Sequence, residues 1–234
     1  MNKGNSKVIP ITFGMVSAFI IKGEKTILID TGQRGSGKKI LTRMEEEGID
    51  PSQLSLIVIT HGHNDHFGSA SFLKERTGAP IAIHKNDADN LRKGINGRLQ
   101  PTRRSAKFLS ILMGSGEKPK VKGLEPDILI EDKFDLRDYG VDGEIIWTPG
   151  HTKGSVSVVL GSGEAFIGDL LMTFRSNRIP KYPLWAYDLS QIKKSIKEII
   201  NMSPRILYAG HGGPFTPESV IDRFKADIAF NNKI

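Results

Sequence analysis

The chain has 234 residues, 38% of them hydrophobic, with a formal net charge of +7 and no cysteine. That is enough apolar material for one α/β domain, and the absence of cysteine excludes disulfides and every thiolate-liganded metal site. No apolar run approaches the ~20 residues a membrane helix needs. Met1–Lys7 has no apolar core behind its charges, so no signal peptide is expected and the default location is cytoplasmic.

Residues 8–30 read as a β-meander. Val8–Phe13 and Ser17–Ile21 are short apolar runs, Gly23-Glu24 marks a turn, and Thr26–Ile29 is a buried strand ended by Asp30. Ser36–Glu47 has helical periodicity with Ser36 as a candidate cap. Leu54–Thr60 is an apolar, β-rich run that leads into His61-Gly62-His63-Asn64-Asp65-His66. Four ligand-type side chains therefore lie within six residues at the carboxyl end of a strand, where α/β folds place chemistry. His61 and His63 are two apart and cannot share a helix face, but a turning loop lets them converge on one ion. Asp65 and His66 should point away from that pair, towards a second ion. Imidazole and carboxylate suit zinc, with iron or manganese as alternatives.

Ser69–Arg76 is helical and Ala79–His84 is the next strand. His84 reads as a structural or pocket-wall residue. Residues 92–125 hold nine basic residues against Glu117 and Glu125, a balance of +7 that equals the charge of the whole chain. Phe108–Met113 inside it reads as a short apolar helix. The segment is either a solvated surface insertion or a lid whose basic residues favour an anionic substrate. Nothing in it resembles a nucleic-acid reader, so nucleic acid is not expected as a partner. The oligomeric state is left open.

Asp127–Ile130, Glu144–Trp147, Ser155–Leu160 and Ala165–Ile167 form a second strand-rich half, with a hairpin turn at Gly161-Ser162-Gly163. His151, Asp169 and His211 each follow an apolar run at a glycine-marked turn, so they can gather at one sheet edge with the first cluster. Tyr182, Trp185 and Tyr187 are candidate pocket walls, with plain core packing favoured for Trp185. Leu189–Asn201 and Glu218–Ile228 are helices, and Arg205–Tyr208 is the last strand.

Leu28-Ile29-Asp30-Thr31-Gly32, the His61–His66 run, His151, Asp169 and His211 follow one another in the order of five motifs, and together they resemble the metallo-β-lactamase superfamily in its two-metal hydrolase form. The resemblance implies a four-layer αβ/βα sandwich. It implies one ion held by His61, His63 and His151, a second held by Asp65, His66 and His211, and Asp169 bridging the two. Asp30 becomes support near the metal loop. Two divalent ions lower the pKa of water towards neutrality, giving a bridging hydroxide as nucleophile, and Asp65 is placed to orient it and take up its proton.

Within that family, β-lactamases with this histidine pattern usually lack the bridging aspartate. Glyoxalase II-like thioesterases of full length carry a further helical domain, whereas 23 residues (234 − 211) follow His211 here. The expected reaction is hydrolysis of a carboxylic ester, thioester or lactone of a small anionic substrate, as in the lactonase or short thioesterase branches. The alternatives are a phosphodiesterase or nuclease, and a mononuclear-iron enzyme of the persulfide dioxygenase type.

Overall fold

The computed structural model describes residues 6–97, 100–102, 121–173 and 179–230. The first sheet is built on strands with apolar residues at almost every position. β1 (Lys7–Phe13), β2 (Val16–Lys22) and β3 (Thr26–Ile29) form the antiparallel meander, followed by α1 (Gly37–Glu46). β4 (Leu54–Ile59) then runs parallel to β3. β3 is buried at all four positions, as expected for a strand covered on both faces. After β4 the chain makes a one-turn helix, α2 (Asn64–Phe67), then α3 (Ala70–Thr77), β5 (Ile81–His84) and α4 (Ala88–Lys93).

Two strands depart from the sequence reading. β7 (Ile128–Ile130) belongs to the first sheet, parallel to β5, and not to the second half. β6 (Gln100–Pro101) pairs with β12 (Trp185–Ala186) in a small ribbon of its own. The second sheet is β8 (Lys133–Asp135), β9 (Gly143–Trp147), β10 (Val156–Leu160), β11 (Glu164–Phe166) and β13 (Ile206–Tyr208), in the order β13-β11-β10-β9-β8. It is antiparallel except where β13 lies parallel to β11.

The layers follow from side-chain alternation. Leu28, Ile57 and Ile59 face α1 and α3, packing with Ile40, Met44 and Leu73. Ile27, Ile29, Leu56 and Val58 face the other way, onto Ile145, Val156, Val158 and Phe166 of the second sheet. The outer face of that sheet carries α5 (Leu189–Asn201) and α6 (Pro217–Phe224). α5 buries Ile192, Ile196, Ile199 and Ile200, the spacing of one helical stripe. Each such side chain contributes roughly 1.5–3 kcal/mol relative to exposure. The order helix, sheet, sheet, helix is the expected four-layer αβ/βα sandwich.

The helix starts are set by different devices. Asp188 caps α5, accepting from the amides of Ser190 and Gln191, and Thr216 caps α6 with Pro217 behind it. Ser36 precedes α1 but makes no side-chain cap bond; the Gly37 amide donates instead to Ser69 Oγ, at the start of α3.

Candidate metal centre

Every candidate ligand emerges at the same end of the two sheets. β4 delivers His61 and His63 on a turn, and α2 carries Asp65 and His66, residues expected on a loop. The His151 turn follows β9 and is clamped from outside by the start of α5: Tyr187 and Asp188 amides donate to the His151 and Gly150 carbonyls, and Ser195 Oγ donates to the Pro149 carbonyl. Asp169 lies just beyond β11, after Gly168, whose φ of 49° makes the turn. His211 lies beyond β13 after Gly210. A Cβ at Gly210 would sit 2.5 Å from both Asp169 Oδ1 and His66 Cε1, so only glycine leaves the centre open there.

Five of the six histidines and two aspartates meet in this space. One ligand atom from each residue lies within 4.8 Å of the others in three overlapping groups: His61/His63/His151, Asp65/His66/His211 and His61/His66/Asp169. His63 Nδ1 and His151 Nε2 are 3.1 Å apart, and His211 Nε2 is 3.2 Å from Asp65 Oδ2. Asp169 stands between the first two groups. Its Oδ2 is 3.5 Å from His151 Nε2 and 3.4 Å from His211 Nε2, and its Oδ1 is 3.5 Å from His66 Nε2.

The residues behind the centre fix which ring nitrogens face it. Thr60 Oγ1 donates to Asp30 Oδ2 at 2.8 Å, which leaves it to accept from His61 Nδ1 at 3.0 Å. His66 Nδ1 donates to the same Asp30 oxygen at 2.8 Å. His151 Nδ1 donates to the Trp185 carbonyl at 3.1 Å. Each of these bonds spends Nδ1–H and turns the Nε2 lone pair inward, the arrangement by which carboxylates and carbonyls orient metal-binding imidazoles. Asp30 does this from a left-handed backbone, φ 59°, a conformation aspartate tolerates. It supports His61 and His66 at once.

The donors fit a cation. Among the described residues, His61 Nε2, His66 Nε2 and Asp169 Oδ1 are buried with no hydrogen-bond partner. Such orphaned atoms cost about 1–3 kcal/mol each, and these converge on one space. Burial, with the neighbouring imidazoles adding to it, holds His61 and His63 well below the ordinary imidazole pKa, and burial pushes His151 down to about 4. Those rings are neutral, as ligation requires. Burial acts the same way on His66 and His211, but Asp169, with Asp30 behind His66 and Asp65 beside His211, reverses it and raises both. That half of the centre favours positive charge.

His84 stands apart. It is buried, stacked on Trp147 with ring centres 5.4 Å apart, and its Nδ1 accepts from the Asn86 amide. We expect His84→Ala to keep the full metal content while losing about 1–3 kcal/mol of stability; elemental analysis beside thermal unfolding checks both. Tyr182, a candidate pocket wall, instead packs on Phe224 in the outer helical layer with its hydroxyl towards Asp227. Trp185 and Tyr187 do border the His151 turn through their backbones. Arg103, Arg104 and Phe108–Met113 lie outside the described residues. The described cations of the basic segment are already engaged: Arg92 with Asp89 and Glu125, Lys93 with Asp89, and Lys122 with Glu75.

Sequence reasoning passed over Asp87. This buried carboxylate receives the Gly62 amide at 2.7 Å, the Thr152 hydroxyl at 2.6 Å and the Gly154 amide at 3.1 Å. An aspartate ahead of a helix reads as a cap, and only the distant partners reveal another role.

Comparison with known proteins places the chain among metallo-hydrolases in sequence and fold. The chain is 30% identical over 204 residues to the "Probable metallo-hydrolase MJ0888" of Methanocaldococcus jannaschii, covering 84% of this chain and 87% of that protein. It is 27% identical over 214 residues to hydroxyacylglutathione hydrolase GloC of Haemophilus influenzae, covering 89% and 91%. Among solved structures, the B3 metallo-beta-lactamase BLEG-1 superposes with a TM-score of 0.66 at 22% identity, over 93% of this chain and 96% of that one. A metallo-beta-lactamase family protein of Thermus thermophilus, TTHA1429, gives 0.66 at 23% identity, over 97% and 80%. Likenesses at that identity speak for the fold. The sequence model of the metallo-beta-lactamase superfamily matches residues 11–211, from the first strand through the last candidate ligand, and the chain belongs to that superfamily.

Proposed function

We propose that the chain is a dinuclear metal-dependent hydrolase, a single domain with an insertion at about 92–125, that cleaves a carboxylic ester, thioester or lactone of a small anionic substrate. One ion takes His61, His63 and His151, the other takes Asp65, His66 and His211, and Asp169 serves both. The observation that carries this reading is the pair of separate trios flanking one buried carboxylate. Two divalent ions, zinc first among the candidates, supply Lewis acidity and a nucleophile from water at neutral pH.

The protein's own part is to hold and to move protons. Asp30, directly and through Thr60, and the Trp185 carbonyl keep His66, His61 and His151 in one tautomer. Burial opposes ionisation of Asp65, yet its bond to His211 and the neighbouring His66 hold its carboxyl well below the usual range, so it is ionised and can accept a hydrogen bond from bound water. Its side chain is 39% exposed, which leaves it open to solvent and to a substrate. Among the described residues the cations of the basic segment, Arg92, Lys93 and Lys122, are paired with carboxylates, and two divalent ions would themselves attract an anionic substrate. The relative named for hydroxyacylglutathione hydrolysis matches over nearly its whole length, and this supports acyl chemistry over phosphoryl transfer.

The test is metal analysis of protein purified without added metal, alongside assays on a thioester, a lactone, a β-lactam and a phosphodiester. Two redox-silent ions and turnover on the thioester or lactone are expected; turnover confined to the phosphodiester sinks the substrate assignment. The group His61/His66/Asp169 is also two histidines and a carboxylate, a set that suits a single iron. One iron per chain, with oxygen consumed on a persulfide, would replace the hydrolase reading by that one.

Acid should empty the centre in order. Protons and cations compete for the same lone pairs. His66 and His211 have raised pKa values and take protons at higher pH; His61, His63 and His151, with lowered values, hold out to lower pH. On stepwise acidification the ion at Asp65/His66/His211 is therefore expected to leave first. Metal content followed against pH in variants that retain only one trio checks the order.

A further inference from the structure

We propose that Asp87 is a positioning residue for the ion assigned to His61, His63 and His151, and for that ion alone. The inference rests on the two-trio reading above. Asp87 occupies the position before α4, where an aspartate ordinarily caps its own helix, yet its side chain makes no cap bond. All three of its bonds leave the helix. Oδ2 receives the amide of Gly62, the residue between His61 and His63, and the hydroxyl of Thr152, the residue after His151; Oδ1 receives the amide of Gly154 in the same turn. One buried carboxylate thereby ties the metal loop of the first sheet to the ligand turn of the second.

Sterics point the same way. Neither Gly62 nor Gly154 has the positive φ that calls for glycine. A Cβ at Gly154 would lie 2.7–2.8 Å from Asp87 Cγ, Cβ and N, and one at Gly62 would lie 3.1 Å from Asp87 Cβ and 2.8 Å from Asn90 Nδ2. Both loops thus carry a glycine where they press on the start of α4, and close approach is the reason for it. The other trio has its own brace in Asp30, which holds His66 directly. The centre therefore has two buried aspartates behind it. Asp30 reaches His66 and, through Thr60, His61; Asp87 sets the distance between the His61–His63 turn and the His151 turn.

Asp87→Asn keeps the volume but places an NH2 group against a ring of donors, so at least one of the three bonds is lost. Replacing partners behind metal ligands lowers metal affinity by about 10–100-fold. The experiment titrates zinc into metal-free protein against a chelator, in two backgrounds: His211→Ala, which cripples the second trio, and His63→Ala, which cripples the first. Asp87→Asn should weaken the remaining ion by about 10–100-fold in the His211→Ala background and leave it within about two-fold in the His63→Ala background. Thr152→Val, which removes one bond and keeps the shape, should do the same by a smaller factor and guards against a misfolded Asn variant. Thermal unfolding of the metal-free proteins supplies the comparison that a purely structural role would dominate. Equal weakening in both backgrounds, or none in either, overturns the role of Asp87 while the two trios stand. If neither single-trio background binds an ion of its own, the two-trio reading itself fails and this inference goes with it.

Discussion

Asp169→Ala is expected to lose one ion and most of the activity. Asp169 is the only carboxylate among the described residues within 4 Å of ligand nitrogens from both trios: His151 and His61 on one side, at 3.5 and 3.9 Å, and His211 and His66 on the other, at 3.4 and 3.5 Å. It is fully charged there: burial opposes ionisation, but His211 and His66 hold its pKa well below the usual value. On the proposed assignment, removing it takes a negative charge from a space that holds two dications, and leaves a hollow between them. Repulsion should then expel the ion with the weaker set of remaining ligands. On that assignment turnover uses both, so kcat/KM should fall by on the order of 10³-fold or more, about 4 kcal/mol of transition-state stabilisation. Metal analysis and steady-state kinetics on the same preparation check it. Native occupancy of both ions in the variant would falsify the shared role.

Asp65→Asn should show a different signature. The side chain is nearly isosteric and keeps an oxygen for the metal, but it cannot accept a proton. Binding should weaken without being lost, KM should move little, and kcat at full metal loading should fall by on the order of 10²-fold or more, the scale of general-base assistance. Asp65 is suited to this because it is the more open of the two carboxylates, 39% exposed against 5% for Asp169. Single-turnover measurements at saturating metal separate occupancy from chemistry. Near-native turnover in the loaded variant would remove the proton from Asp65 and leave activation of water to the ions alone.

How much of this is legible in the chain depends on how local each feature is. The run from His61 to His66 is legible because its members are neighbours whatever the fold, and the strand before them is an unbroken apolar stretch. His151, Asp169 and His211 are legible because each sits at a glycine turn after an apolar run. Helix α5 is legible to the residue, since its isoleucines keep a helical spacing over 13 positions. What escapes the sequence is non-local. β7 pairs with β5 across the intervening basic segment, and nothing in Ile128–Ile130 says which sheet will take it. The partners of Asp87 lie 25, 65 and 67 residues away. Tyr182 carries no mark that separates a cavity wall from an outer layer, because an aromatic ring suits either. Ser36 shows the limit of cap rules: the residue type is right for the position, but Ser69 supplies the bond to Gly37.

The distribution of the seven side chains over the two sheets has a consequence for how the molecule is put together. On the proposed assignment each ion takes two ligands from the turn and helix after β4 and one from the second sheet, while Asp169, also from the second sheet, touches both. Neither half contains a complete coordination set. On that assignment a nascent or partly opened chain in which one sheet has slipped against the other offers each ion only part of its ligands, so tight binding waits for the two halves to close. Metal binding would then favour molecules whose halves are in register, since ions that bind the closed form more tightly than the open one stabilise it.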